Sequence, residues 1–408
     1  MSEASPKQKK LKIAIFTETF LPQVNGVVRT LEKIIRHLEK HGHEVKLFAI
    51  GEGEDHYSNT EVIRLEGVPF SFYKELYIVK PEDKLLGKLT ENDISQTPIA
   101  CLQSLIPAKH SKVEKALEGF KPDLIHLATP VTLGAIGVYY VEKLGLPCLS
   151  TFHTDLAAYA PMYQVPFMEE FVSAATKMIY SRTDRILAPS RSSQKQLRRL
   201  GLKNVGVFGR GVDHELFHPN KSNKEVLKNY GLDPEKITIA YVGRLAEEKS
   251  LPELVSSFKD LKSKYSDLQL LFIGDGPARK GLEQSLKDTQ DYAFAGLKKG
   301  EELAELFASA DIFAFPSRTE TFGQVVQEAM ASGLPVVGYD SPGVRDLVQD
   351  TFTGYLAYDH DSFTKSIEKL FDNKTREQMS DNARKFAETR SWETILNGLI
   401  DEYRKLIN

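Results

Sequence analysis

Short apolar strands that alternate with helical stretches, in two separate series along one chain, constrain this sequence most. Residues 11–17 (Leu-Lys-Ile-Ala-Ile-Phe-Thr) read as a buried strand and 45–50 as a second. Between them, residues 27–40 carry Leu31, Ile34, Ile35 and Leu38 at helical spacing, and Gly42 suits a left-handed stop. The same rhythm recurs at 123–127, 147–152 and 185–189. A second series opens with a strand at 237–243 and a helix over 253–262, then continues with strands at 268–274, 292–296, 311–315 and 335–338. Continuous apolar strands separated by helices belong to parallel sheets covered on both faces. The expected class is therefore α/β: two doubly wound, Rossmann-like domains. Such sheets bind ligands at the carboxyl ends of their strands, which implies a cleft between two facing domains. The polar stretch 211–232, with Pro219, separates the two series and sets the expected boundary at residues 217 and 218.

A chain of 408 residues is long enough for two cores. Hydrophobic residues at 41% and charged residues at 27% are ordinary for a globular protein, and a formal charge of −3 speaks against a general nucleic-acid binder. Two cysteines, Cys101 and Cys148, supply neither a disulfide framework nor a zinc spacing. The first ten residues are polar and lysine-rich, unlike a signal peptide, and no apolar run approaches the ~20 residues that span a bilayer. A cytoplasmic protein fits, with room for peripheral attachment at the inner face of a membrane.

Chemistry concentrates near the carboxyl ends of the expected strands. Glu320 and Glu328 bracket Glu-Thr-Phe-Gly-Gln-Val-Val-Gln-Glu, which follows the strand ending at Pro316. The first glutamate falls at a loop mouth and the second in the next helix, while the amides of Thr321, Phe322 and Gly323 lie where free N–H donors favour an anion. Gly243-Arg244 follows another strand, with Lys249 five residues on. A guanidinium and an ammonium so placed can clamp a diphosphate and stabilise its departure, although ion pairs with Glu247 or Glu248 would account for the same residues. His153, in Thr-Phe-His-Thr-Asp155, ends a third strand and can contact a sugar hydroxyl with Asp155 beside it, or serve the fold alone. Gly26 lets backbone approach a phosphate at the first helix, or simply makes a turn.

Other motifs fail. Gly51-Glu-Gly53 and Gly274-Asp-Gly276 have His56 and Arg279 where a dinucleotide fingerprint needs its third glycine. No phosphate-binding Gly-Lys-Ser/Thr loop, no Gly-x-Ser-x-Gly elbow and no convincing metal spacing occurs. Over 171–204, Lys177, Arg182, Arg185, Arg191, Lys195, Arg198, Arg199 and Lys203 face a single acid, Asp184. This stretch suits anionic lipid headgroups or a solvated helix face. The aromatic-rich interruption over 69–120 is either a surface excursion with a local core or an acceptor-side or membrane-facing surface.

Together these segments resemble the retaining glycosyltransferases of family four, with their two-domain GT-B fold. The resemblance rests on Phe20-Leu-Pro-Gln-Val-Asn-Gly26, Phe152-His-Thr-Asp155, Gly211-Val-Asp213 with Phe217 and Pro219 nearby, Gly243-Arg244, Gly274-Asp-Gly-Pro277, Phe294-Ala-Gly296 and 320–328, over nearly the whole chain. It implies domains at 1–217 and 218–384, with residues 385–408 returning to the first, and Trp392 anchoring that return by burial. The implied substrate is a nucleotide-sugar. Arg244 and Lys249 would hold its diphosphate and Glu320 its sugar hydroxyls, while Glu328 would bind the ribose. Thr321, Phe322, Gly323, Gly243, Gly26, Arg210 and Phe294 would complete the donor contacts. His153 would face the anomeric region, with Asp155 and Tyr159 on the acceptor side. No metal or other cofactor is implied. The segment Arg210-Gly-Val-Asp leans towards mannosyl transfer from GDP-mannose to a lipid or glycan acceptor, the alternative being a glycolipid synthase using UDP-glucose or UDP-galactose. A sugar-nucleotide epimerase and a non-enzymatic carbohydrate-binding protein stand further off.

Overall fold

A computed structural model describes residues 9–23, 25–70, 73–80, 109–129, 131–153, 177–318, 320 and 322–408. Contacts divide the chain into two compact units. The first takes in residues up to Phe208 together with Leu396–Asn408, and the second is Gly209–Ile395.

In the first unit the described strands are β1 (Lys12–Thr17), β2 (Glu44–Ile50), β3 (His56–Tyr57), β4 (Thr60–Leu65), β5 (Gly67–Phe70), β6 (Tyr73–Val79), β7 (Leu124–Thr129), β8 (Cys148–Thr151), β9 (Arg185–Ala188) and β10 (Val205–Val207). The described helices are α1 (Gly26–Lys40), α2 (Ser111–Phe120), α3 (Thr132–Leu144) and α4 (Arg191–Arg199). Eight strands form one sheet in the order β10-β9-β8-β7-β1-β2-β4-β3. It is parallel except for the short β3–β4 pair. The order runs outward in both directions from the β1–β7 pair, so this is where the topology reverses. Helix α1 forms where the apolar periodicity predicts it. The Asn25 side chain caps it, accepting from the N–H groups of Val27 and Val28 at 3.0 Å each, and Gly42 follows at φ 77°. The antiparallel ribbon β5–β6 opens the interruption expected over 69–120, of which residues 81–108 lie outside the described part.

The second unit contains β11 (Ile237–Val242), β12 (Leu268–Ile273), β13 (Tyr292–Gly296), β14 (Ile312–Phe315), β15 (Val336–Tyr339) and β16 (Gly354–Ala357). Its helices are α5 (Leu251–Lys262), α6 (Arg279–Leu286), α7 (Gly300–Ala308), α8 (Gln324–Ala331), α9 (Pro342–Arg345), α10 (His360–Lys369) and α11 (Asn373–Glu388). The strand order is β13-β12-β11-β14-β15-β16 and every pairing is parallel. This is the doubly wound order 3-2-1-4-5-6, which reverses between β11 and β14. All six residues of β12 are buried, as the unbroken apolar run requires.

Residues 209–217 and 385–395, expected in the first domain, belong to the second unit, and the expected linker is packed rather than free. Val212 pairs with Ser391, and Phe217, Leu227 and Leu232 are buried in the second unit's core. The polar composition of this stretch hid those four apolar anchors.

The terminal helix α12 (Trp392–Ile407) buries Leu396, Leu399, Ile400 and Tyr403, a helical stripe. Within the first unit it is tied down by three polar contacts: Tyr403 to His126 at 2.7 Å, Arg185 to Glu402 at 2.6 Å and His37 to Asn397 at 2.9 Å. Trp392 is half-buried, with its backbone against Gly211, where a Cβ would lie 2.3 Å from the Trp392 Cα.

Candidate active site

Strands β11 and β14 are neighbours at the point where the second sheet reverses, so the connections that leave their carboxyl ends run in opposite directions and leave room for a ligand. Gly243, Arg244 and Lys249 follow β11, and Glu320, Phe322 and Gly323 follow β14. The topology thus gathers residues about 70 positions apart onto one sheet edge.

The loop after β11 is stitched to the loop after β12. Gly243 N–H donates to the Ile273 carbonyl at 3.0 Å, Leu245 N–H to Asp275 at 3.0 Å, and Ala278 N–H to Leu245 at 2.8 Å. A Cβ on Gly274, at φ 139°, would lie 1.9 Å from the Gly243 carbonyl oxygen. Gly274 therefore serves a close backbone approach that fixes the Arg244 loop.

Past this loop, a 3-10 turn over Glu247–Lys249 delivers Lys249. Its Nζ lies 2.9 Å from Glu320 Oε2, and both side chains are about four-fifths buried, at 18% and 21% exposure. The same ammonium lies 5.9 Å from the centre of the Phe315 ring. Arg244 pairs instead with Glu248 at 2.5 Å and keeps half of its side chain exposed. Burial pushes the Glu248 carboxyl up, but the hydrogen bond and charge of Arg244 outweigh it and leave the group below the usual carboxylate range. The ion-pair explanation therefore describes Arg244, while Lys249 reaches across to the other loop.

Arg210 joins the Glu320 side of the site. Its guanidinium centre lies 5.8 Å from the Phe322 ring centre. Burial lowers its pKa, opposed by the charge of Glu320. The Gln324 amide donates to the Gly211 carbonyl at 3.0 Å and holds the Arg210 segment against the start of α8. Gly343 N–H donates to the Glu320 carbonyl at 2.9 Å, so the turn after β15 supports the Glu320 loop from beneath.

Helix α8 opens on Gly323, at φ 84°, an N-cap residue that has no side chain of its own to offer. The first unit does the opposite at its own reversal point. There Glu18, just past β1 and 4% exposed, accepts from the N–H groups of Val131, Leu133 and Gly134 at 2.9, 2.7 and 3.1 Å, and from the Thr132 hydroxyl at 3.2 Å. An internal carboxyl group thus fills the start of α3.

The other expected residues lie apart. Glu328 is half-buried on α8, about one turn (~6 Å of rise) beyond Gln324. Phe294 lies on β13, separated from β11 by β12, where it stacks on Phe272 at 4.8 Å with the Arg279 guanidinium 5.5 Å from its ring centre. In the first unit, Gly26 is exposed at the start of α1, beside N–H groups already taken by Asn25, and His153 is buried just past β8. Thr321, Asp155 and Tyr159 lie outside the described residues.

Sequence reasoning missed Glu18, Gln324 and Gly343. Glu18 meets its donors 113 to 116 residues away, so no local pattern could reveal it. The Ser-Pro-Gly turn at 341–343 was visible, but its contact with Glu320 was not.

Comparison with known proteins covers both units. The family model described as Glycosyl transferases group 1 matches residues 222–386, and that described as Glycosyltransferase Family 4 matches residues 24–216. The chain is 32% identical to the GDP-mannose-dependent alpha-mannosyltransferase of Mycolicibacterium smegmatis, over 97% of this chain and 98% of that one. It is 30% identical to the sulfoquinovosyl transferase SQD2 of Arabidopsis thaliana, over 97% of this chain and 73% of that one. Among solved structures, the sucrose-phosphate synthase of Thermosynechococcus elongatus superposes with a TM-score of 0.74 at 22% identity, covering 97% of this chain and 99% of that one, a likeness of fold.

Proposed function

We propose, from the premise that this chain belongs to the family 4 glycosyltransferases, that it moves mannose from GDP-mannose to a lipid or glycan acceptor with retention of anomeric configuration. The observation that carries the chemistry is the Lys249–Glu320 pair at the reversal of the second sheet, with Arg244 five residues from Lys249 and the start of α8, which opens on Gly323, beside it.

A departing nucleoside diphosphate accumulates negative charge, and fixed cations stabilise that charge most in the transition state. Lys249 is pre-positioned by Glu320. Arg244, half exposed, can exchange Glu248 for a phosphate oxygen. Glu320, held by Lys249 and facing Arg210, supplies an acceptor for sugar hydroxyls, and the Phe322 and Gly323 amides supply donors. Glu328, on α8, is assigned to the ribose and Phe294 to the base side. In the first unit we assign a catalytic role to His153. With two cations at the diphosphate, the reaction needs no metal ion, and turnover should survive exhaustive chelation. Departure and attack on one face retain configuration without a covalent intermediate.

The relative named for GDP-mannose supports the donor, and likeness to SQD2 supports the second reading, a glycolipid synthase. A lipid acceptor agrees with α4, whose Arg191, Lys195 and Arg199 are exposed, as is Lys203 beyond it. No ion pair among the described residues joins these four to an acid. No helix among the described residues is long and apolar enough to cross a membrane, so we assign peripheral attachment at the cytoplasmic face through this basic surface. Liposome flotation tests it: equal flotation with neutral and anionic lipid, unchanged on neutralising Arg199 and Lys203, would remove the surface from the proposal.

The deciding experiment is nucleotide release from GDP-, UDP- and ADP-sugars with and without a lipid extract. Release from GDP-mannose, raised by the extract, supports the reading, and release from a UDP-sugar alone replaces the donor. Silence across the panel overturns the transfer reading.

A further inference from the structure

The two loops that meet at Lys249 and Glu320 meet a second time, with the charges reversed. Glu253, in the first turn of α5, lies four residues past Lys249. Arg318 lies two residues before Glu320. Arg318 Nη2 donates to Glu253 Oε2 at 3.2 Å, and the Tyr339 hydroxyl, from the end of β15, donates to the same oxygen. The Arg318 guanidinium centre lies 3.5 Å from the centre of the Tyr339 ring, whose side chain is 1% exposed. Each loop thus contributes one cation and one anion, and a buried aromatic ring from a third strand anchors the second pair. The catalytic reading uses none of these three side chains.

We propose that Glu253 is a positioning residue for transfer: clamped by Arg318 and Tyr339, it holds the α5 end of the Lys249 loop at a set distance from the Glu320 loop. The Lys249 ammonium sits on a short 3-10 turn followed by Ser250 at φ 53°, and its place depends on where α5 begins. Glu253 N–H donates to the Ser250 carbonyl at 3.1 Å, so the carboxylate that grips Arg318 belongs to the residue that closes the next turn, which starts directly after Lys249. Releasing it frees the turn to shift while the core residues Leu251, Leu254 and Phe258 keep α5 folded. A displacement near 1 Å at a reacting group can cost ~10²-fold in rate.

This inference rests on the proposed transfer reaction, and the test separates the two. Steady-state transfer and nucleoside diphosphate binding are measured on the full chain for wild type, Glu253→Gln, Lys249→Gln and the double variant. Glu253→Gln should lower kcat by roughly 10- to 100-fold with nucleotide affinity unchanged. In the Lys249→Gln background the same change should cost little, because its effect passes through Lys249. The swap Glu253→Arg with Arg318→Glu should recover part of the loss. Wild-type turnover in Glu253→Gln, or a loss that adds in full without Lys249, would overturn the positioning role and leave the transfer reading intact. A wild-type chain that neither binds nor turns over a sugar nucleotide would sink both.

Discussion

Lys249 and Glu320, 71 residues apart in sequence, form a 2.9 Å ion pair across the point where the second sheet reverses its strand order. Neither residue is pinned by its own element alone. One arrives on a turn stitched to the loop after β12, the other on a loop supported by the turn after β15. The pair therefore reports that several strands have assembled in register, and it places a cation and an anion where a polar ligand of mixed character can exchange with both.

Removing either member should damage transfer in different ways. Glu320→Gln keeps size and hydrogen bonding, so nucleoside diphosphate should bind as in wild type while kcat falls by ~10²–10³-fold. Lys249→Ala should lower kcat to a similar degree and weaken nucleotide binding as well. Calorimetric titration beside initial rates separates the two patterns, and normal transfer by Glu320→Gln would end its assignment.

Gly343 offers a probe of the loop rather than of the chemistry. A Cβ there would lie 2.7 Å from both the Glu320 carbonyl oxygen and the Phe322 amide nitrogen. Both contacts are backbone, so the loop must move. Gly343→Ala should cost ~1–3 kcal/mol of stability and reduce kcat/KM by more than the unfolded fraction explains. Thermal unfolding measured beside rates at a permissive temperature decides this: full activity there would mean that the loop tolerates the shift.

The alternation of strands and helices was legible because the central strands, such as β1, β12, β14 and β15, are buried almost throughout and write nearly unbroken apolar runs. Lys249 and Glu320 were legible for a related reason, since residues just past a strand fall at the binding edge of a doubly wound sheet. The partners of those residues were not. Arg318 lay in plain view beside Glu320, yet nothing local says that it pairs with Glu253, 65 residues earlier. Phe217 and Leu227 were hidden among polar neighbours, so a packed segment read as a linker. Short-range pattern identifies elements, whereas contacts between elements depend on register, which the pattern leaves open.

His126 should make the first unit acid-sensitive. The Thr151 hydroxyl donates to the Ala128 carbonyl at 3.2 Å, so His126 Nε2–H donates to Thr151 Oγ1 at 3.0 Å, and Nδ1 accepts from the Tyr403 hydroxyl at 2.7 Å. The ring is thereby fixed as neutral, and burial pushes its pKa from 6.5 down to about 3. The unfolded chain takes up a proton below 6.5 and the folded chain does not. The contribution is present above pH 6.5 and is lost as pH falls towards 3, at about 1.4 kcal/mol per pH unit. His126→Gln, which retains a donor and an acceptor, should shrink the stability difference between pH 7 and pH 5 by about 2 kcal/mol. An unchanged difference in urea unfolding would contradict the assignment.

Glu18 should act with the opposite sign. Burial raises its carboxyl from 4.5 to about 7, although three backbone N–H groups and the Thr132 hydroxyl pull the other way. Between those values the folded chain holds a proton that the unfolded chain has released. Stability from this group is therefore full below pH 4.5 and falls as pH rises towards 7, again by about 1.4 kcal/mol per unit. Glu18→Gln removes the titration while keeping an oxygen at the start of α3. Relative to wild type, it should gain stability on going from pH 4.5 to pH 8. Urea unfolding at the two pH values gives that difference directly, and carbonyl-region infrared spectra of wild type should show one buried carboxyl band fading near pH 7. A variant that instead loses ground at pH 8 would mean that the N–H cradle and the helix dipole outweigh burial and hold the carboxyl charged at lower pH. The start of α3 would then be a stabilising anion site rather than a tolerated one.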